Sequence, residues 1–427
     1  MNPEVEPSRT RPWIVVLGGV AALAGLVWCA RFVTEHPTSL PNKDFVQYWS
    51  AARVNLAGGN PYDAAQLKPL QAAALGQPDL ANVTMMWNPP WVVALVAPLG
   101  WLSSGAAHLT FLAVQLAALL LSVTWLWKSF DGPADRLWVA WLLALGFGPS
   151  VFIFWWGQIG GLLLLGLAGF LRYRESKPFV AGLFAALLAI KPHLLFAVGL
   201  VLLLDAIVSK SARRTLLGGA LAVLLAAGTA WLLNPEVYSH YSNAGWQSST
   251  SINTSPKDWK QPLVAYWLRM AVNPNVFAIQ FVPLVIASIG VVVYWLKNRS
   301  TWNWTDELPK LVLVSVLFTA YGAWMFDLVV LLVPVVAATV SILRNPGNRP
   351  LWFGGLAVMT VFATVSPWLN RAFTGHLETP MQQFIWVSPA VLALAFLSRS
   401  RAGHKIDSRP VPREVEPCPS MPRVLAS

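Results

Sequence analysis

Long apolar runs separated by short polar, basic segments fill this chain. A helix that crosses a bilayer needs about 20 apolar residues, with a range near 17–25. Seven runs read as spans of that kind: 12–33, 105–127, 137–154, 213–233, 276–296, 328–343 and 351–366. Five shorter runs, 159–171, 179–190, 194–208, 311–323 and 384–397, bring the expected total to twelve. The segment 89–102 is apolar but short, opens with Pro89-Pro90 and contains Pro98.

Sidedness decides how to treat that segment. With the N-terminus inside and 89–102 lying in the interface, 21 of the 30 Lys and Arg fall on the cytoplasmic side and 9 outside. If 89–102 crossed, every later loop would change side and the bias would collapse. The positive-inside rule therefore predicts an interfacial segment. Two large loops then face outward, 34–104 and 234–275. Residues 1–401 read as one membrane domain, and the Pro- and charge-rich tail 402–427 as disordered. The first apolar run has no small-residue cleavage site after it and reads as an uncleaved span. No internal repeat is evident.

Composition agrees. The 427 residues are 56% hydrophobic and 11% charged, whereas soluble domains carry roughly a quarter charged residues. An ordinary soluble enzyme is excluded, and so is a disordered chain. The 23 Trp suit the membrane–water interface. The net charge of +11 sits in short clusters between apolar runs, which is topology control rather than a nucleic-acid face. Cys29 and Cys418 suggest no disulfide. No phosphate-binding loop, HExxH or metal-ligand spacing is present, so no cofactor or metal is called for.

Candidate chemistry lies outside. Phe45, Trp49, Ala52 and Leu56 fall at helical spacing, and Gly58-Gly59-Asn60-Pro61 would end that helix. Asp44 then opens an amphipathic helix resting on the outer leaflet. Capping that helix is the ordinary role for such an Asp. Gln158 follows Trp155-Trp156-Gly157, Lys191-Pro192-His193 interrupts two apolar runs, and Asp327 opens a span. Ionisable residues at membrane depth are costly and usually face a cavity. Each also has a plainer reading. Lys191 snorkels to headgroups, Gln158 bonds a neighbouring helix, Asp327 caps a helix and His193 packs. Trp49, Trp87, Trp155 and Trp156 offer ring faces to a ligand, or are simply interface belt.

These residues resemble a known family. The run Asp44-Phe45, Tyr48-Trp49, Ala51-Ala52-Arg53 and Gly58-Gly59-Asn60-Pro61-Tyr62-Asp63 is similar to the opening of the polytopic glycosyltransferases of family 87. Trp87-Asn88-Pro89-Pro90 with Ala97-Pro98-Leu99, then Gly157-Gln158, Lys191-Pro192, and Phe326-Asp327-Leu328 with Leu332-Val333-Pro334 continue the likeness in order. It departs at Met325-Phe326-Asp327, where some members are His-rich, and at Ile159, where many carry Asn.

The resemblance implies an all-α GT-C fold in the cytoplasmic membrane. It implies transfer of a hexose, mannose first, from a polyprenyl-phosphate donor to a lipid or glycan acceptor on the outer face. By position Asp44 is the expected base. From its chemistry Lys191 is the expected donor-phosphate ligand, with Arg53 and Lys43 as the alternatives. Gln158, His193, Asp327, Trp49 and Trp87 are the expected substrate contacts. A transporter or flippase of lipid-linked substrates is the main rival, with a non-catalytic assembly subunit behind it. Transporters place polar breaks near the midplane and often show repeat symmetry. This chain shows neither.

Overall fold

The structure is a computed structural model that describes residues 44–252 and 264–344, with 245–252 as backbone only. Every regular element among the described residues is helical. In chain order they are α1 (Phe45–Leu56), α2 (Ala64–Leu75), α3 (Pro90–Trp101), α4 (Ser104–Ser129), α5 (Leu137–Gly146), α6 (Gly148–Trp156), α7 (Gly160–Tyr173) and α8 (Pro178–Ile190). There follow α9 (Phe196–Val208), α10 (Lys210–Leu233), α11 (Val237–Ile252), α12 (Val264–Val272), α13 (Phe281–Asn298), α14 (Trp304–Phe318) and α15 (Asp327–Arg344).

The apolar pattern locates these helices well but overstates how many cross alone. Among the described residues, four helices are long and apolar enough: Ser104–Ser129, Lys210–Leu233, Phe277–Thr301 and Asp327–Arg344. The expected span 137–154 is broken instead, with a 54° bend between Ala134–Gly146 and Gly148–Trp156. The cause is Pro149, whose ring in a continuous helix would clash with the carbonyl of Leu145, so Phe147 goes extended. The 14 residues of α7 rise only about 21 Å against a hydrocarbon core of about 30 Å. The runs 12–33, 351–366 and 384–397, both cysteines and the tail lie outside the described residues.

Burial sorts centre from periphery. The most apolar window of α15 is 78% buried, against 11% for α10 and 17% for the span containing α13. α7 is packed between α4, α8 and α15. The outer helices leave Leu224, Leu232 and Ile286 bare, as lipid-facing positions require. Helices in lipid gain little from hiding apolar surface, so close backbone approach drives their packing. α8 and α10 illustrate this. A Cβ on Gly182 would collide with the Thr215 carbonyl, and one on Gly218 with the Phe179 carbonyl.

The first outer loop departs from expectation. α1 forms where the apolar spacing places it, and Gly58, with φ +74°, follows its end. It does not rest on a leaflet with a polar face in water. Ten of its 12 residues are buried, and among them are Gln47, Ser50 and Asn55. Two of these polar residues find partners inside the protein. Gln71 donates to the Ser50 hydroxyl at 3.0 Å, and Asn234 Nδ2 donates to the Asn55 side-chain Oδ1 at 3.1 Å. α3 spans about 18 Å, too short to cross, and packs against α1 and α10.

Replacing Gly182 with Val drives a side chain into a backbone carbonyl. The expected cost is about 1–3 kcal/mol, read as a lower unfolding temperature in detergent. Gly228 has open space around its Cα, so Gly228→Ala is the control and is expected to be neutral or stabilising. Equal effects of the two variants would refute this account of the α8–α10 contact.

Candidate active site

The site forms where four chain breaks meet. Helix α6 ends at Gly157, which is left-handed at φ +69° and lies against the start of α1. A Cβ on Gly157 would sit 2.5 Å from the Phe45 Cβ, so both conformation and space call for glycine here. The seat is closed by the Asp44 N–H, which donates to the Trp156 carbonyl at 3.1 Å. The next residue, Gln158, is thereby held against the first turn of α1.

Asp44 occupies the N-cap position, yet its side chain makes no capping hydrogen bond. Its carboxylate instead accepts from Gln158 Nε2 at 2.6 Å. The other end of that amide is also taken, because the Tyr48 hydroxyl donates to Gln158 Oε1 at 3.0 Å. Asp44 and Tyr48 are four residues apart, so they share one face of α1 and reach the same amide. Tyr48 is fully enclosed. Burial first, then the carboxylates of Asp44 and Asp327, hold its phenol well above the usual range, so it keeps its proton.

Opposite lies an ion pair. Lys191 Nζ stands 2.7 Å from Asp327 Oδ1, with the two side chains 14% and 1% exposed. The Lys191 backbone is extended between two short 3-10 turns, because Pro192 cannot continue the preceding helix. Its ammonium also lies 5.2 Å from the centre of the Phe326 ring. The other Asp327 oxygen accepts from the Trp324 N–H at 3.2 Å. Asp327 is therefore the buried counter-ion of Lys191 and the closure of its own turn, one residue inside the helix from the cap position held by Phe326.

The remaining expected residues are dispersed. Arg53 lies nine residues beyond Asp44, roughly 13 Å along α1, and donates to the Gly100 carbonyl. Trp49 is buried and donates to the Leu102 carbonyl, so it ties α1 to α3. Each thus donates one hydrogen bond to the backbone of the α3 segment. His193 stacks on Tyr321 at 4.2 Å, beside Gly322. Burial, and then the Lys191 ammonium, push its imidazole down to about 3. It is neutral and no phosphate cation. Trp87 is 51% exposed at the start of a segment pinned beside the site. Asn88 Nδ2 donates to the Ile190 carbonyl and Trp91 Nε1 to that of Ala189. Lys43 lies outside the described residues.

Two features escaped the sequence reading. Tyr48 was legible only as a member of the resembling run, with no role attached. Asp205 is the other. Trp304 Nε1 donates to its carboxylate at 3.0 Å and Arg174 lies 3.9 Å from it. Arg174 and Asp205 close the far ends of α7 and α9, away from Gln158 and Lys191. No spacing along the chain links them.

The chain matches the family model for glycosyltransferase family 87 over residues 87–319, more than half its length. The chain belongs to glycosyltransferase family 87. It is a glycosyltransferase, which decides against the transporter reading, and its apolar helices fit a membrane enzyme. The matched stretch contains Trp87, Gln158, Lys191 and His193, whereas Asp44 and Asp327 flank it. No curated protein and no solved structure matches the chain.

Removing one member of the Lys191–Asp327 pair strands the other. Lys191→Met and Asp327→Asn are each expected to cost this glycosyltransferase about 3–5 kcal/mol. The double variant is expected to be more stable than either single one, as measured by thermal unfolding in detergent. Simple addition of the two losses would exclude a coupled pair.

Proposed function

We propose that this glycosyltransferase has a GT-C fold in the cytoplasmic membrane. It transfers a hexose, mannose first, from a polyprenyl-phosphate carrier to a lipid or glycan acceptor on the outer face. The observation that carries this reading is the Asp44 carboxylate, turned from its own helix end to a buried amide. A carboxylate spent on capping has no such geometry.

In this reading Asp44 is the general base. It takes the proton from the acceptor hydroxyl as that oxygen attacks the anomeric carbon. The bond from that carbon to the phosphate oxygen breaks, and its electron pair leaves with the polyprenyl phosphate. One displacement inverts the anomeric centre, and the carboxylate pair of a hydrolase is not needed. A lipid-linked donor suits a site at the helix ends, since the prenyl chain stays in hydrocarbon while the phosphate sits at headgroup depth.

Lys191 is the proposed phosphate ligand. An ammonium carries three donors, and Asp327 takes one of them. Paired in this way, Lys191 offers hydrogen bonds to the leaving phosphate without adding net charge to the site. Trp87 is the proposed exposed platform for the sugar or prenyl chain.

Asp44→Asn tests the base directly. In membranes supplied with radiolabelled polyprenyl-phosphate mannose, then glucose and galactose, the variant is expected to lose about 100-fold or more in turnover while remaining folded. Full turnover in the folded variant would remove Asp44 as the base.

A further inference from the structure

We propose that Tyr48 and Gln158 are positioning residues for the base: a one-way series of hydrogen bonds, Tyr48 to Gln158 to Asp44, holds the carboxylate in its reacting orientation. The inference rests on the reading of Asp44 as base.

Direction is what sets this series apart from ordinary packing. An ionised carboxylate only accepts, so the Gln158 NH2 must face Asp44 Oδ2, where it stands at 2.6 Å. The carbonyl end of that amide then faces Tyr48, which must donate, at 3.0 Å. Tyr48 meets that requirement, because its proton is held by burial and by two nearby carboxylates. Each donor is thus assigned, and reversing any one leaves like groups facing each other.

The supports are rigid. Gln158 is 5% exposed and Tyr48 1%. Phe111 stacks on Tyr48 at 5.6 Å, and the Gln158 N–H is tied to the Ile153 carbonyl. A carboxylate on the first residue before a helix rotates about two side-chain bonds. A short bond to a buried amide removes that freedom before substrate arrives.

Gln158→Glu separates positioning from packing. With a proton on the new carboxyl, one oxygen donates to Asp44 and the other accepts from Tyr48, as the amide does. Without that proton, two carboxylates face each other. Two such groups share a proton at low pH and repel at high pH. The turnover of Gln158→Glu relative to wild type is therefore expected to rise at least about tenfold as pH falls from about 8.5 to 5.5. Gln158→Leu is expected to lose activity by a constant factor across that range.

Tyr48→Phe is the second variant. It is expected to lower kcat about tenfold and leave the donor KM within about twofold. Both are assayed in membranes with the polyprenyl-phosphate hexose that the wild type turns over, alongside Asp44→Asn. A flat Gln158→Glu ratio, or an unchanged kcat in Tyr48→Phe, overturns the inference. If Asp44→Asn is inert in the same assay, only the positioning role fails. If Asp44→Asn is active, the base reading fails with it.

Discussion

The contact between the start of α1 and Gly157 sets the geometry of everything at the site. The Asp44 N–H on the Trp156 carbonyl brings the first turn of α1 against the junction of α6 and α7. Only a glycine in the left-handed region leaves room for Phe45 there. The next residue, Gln158, then falls between Asp44 and Tyr48. A side chain at 157 would lift α1 away and dissolve the whole arrangement.

The second organising constraint is that buried polar groups must find partners. In water an amphipathic helix leaves its polar face to solvent. α1 is largely enclosed, and Tyr48, Ser50 and Asn55 pair with Gln158, Gln71 and Asn234 from distant parts of the chain. The Lys191–Asp327 pair obeys the same demand across 136 residues. Both arrangements gather at the ends of short helices. There the backbone is already broken, by glycine at 157 and by proline at 192. Broken ends supply free backbone groups and let side chains turn inward, which straight spans do not allow.

These constraints explain why individual candidates fared differently. Asp44 and Gln158 are seated together because the glycine between α6 and Gln158 is itself a sequence feature. Lys191 and Asp327 were each visible as polar interruptions in apolar runs, but not as partners. Arg53 looked close to Asp44 in the sequence and lies about 13 Å from it along the helix. Trp49 looked like a platform and is a buried strut. Tyr48 stood in the resembling run but had no role there, because the apolar periodicity of α1 put Phe45, Trp49, Ala52 and Leu56 on its face and left Tyr48 among the others.

The amino-acid sequence alone determined that this is a helical membrane protein, where most of its described apolar helices lie, and which family it resembles. Those properties follow from local hydropathy, helix breakers and short motifs, and each can be read within a window of a few turns. The tertiary structure decided which polar groups meet. It made Lys191 and Asp327 an ion pair, buried most of α1, and joined Tyr48 to Asp44 through Gln158. Partners of that kind are separated by more than 100 residues, and hydrogen bonding acts over about 3 Å. Only the packing of helices against one another brings such groups within reach.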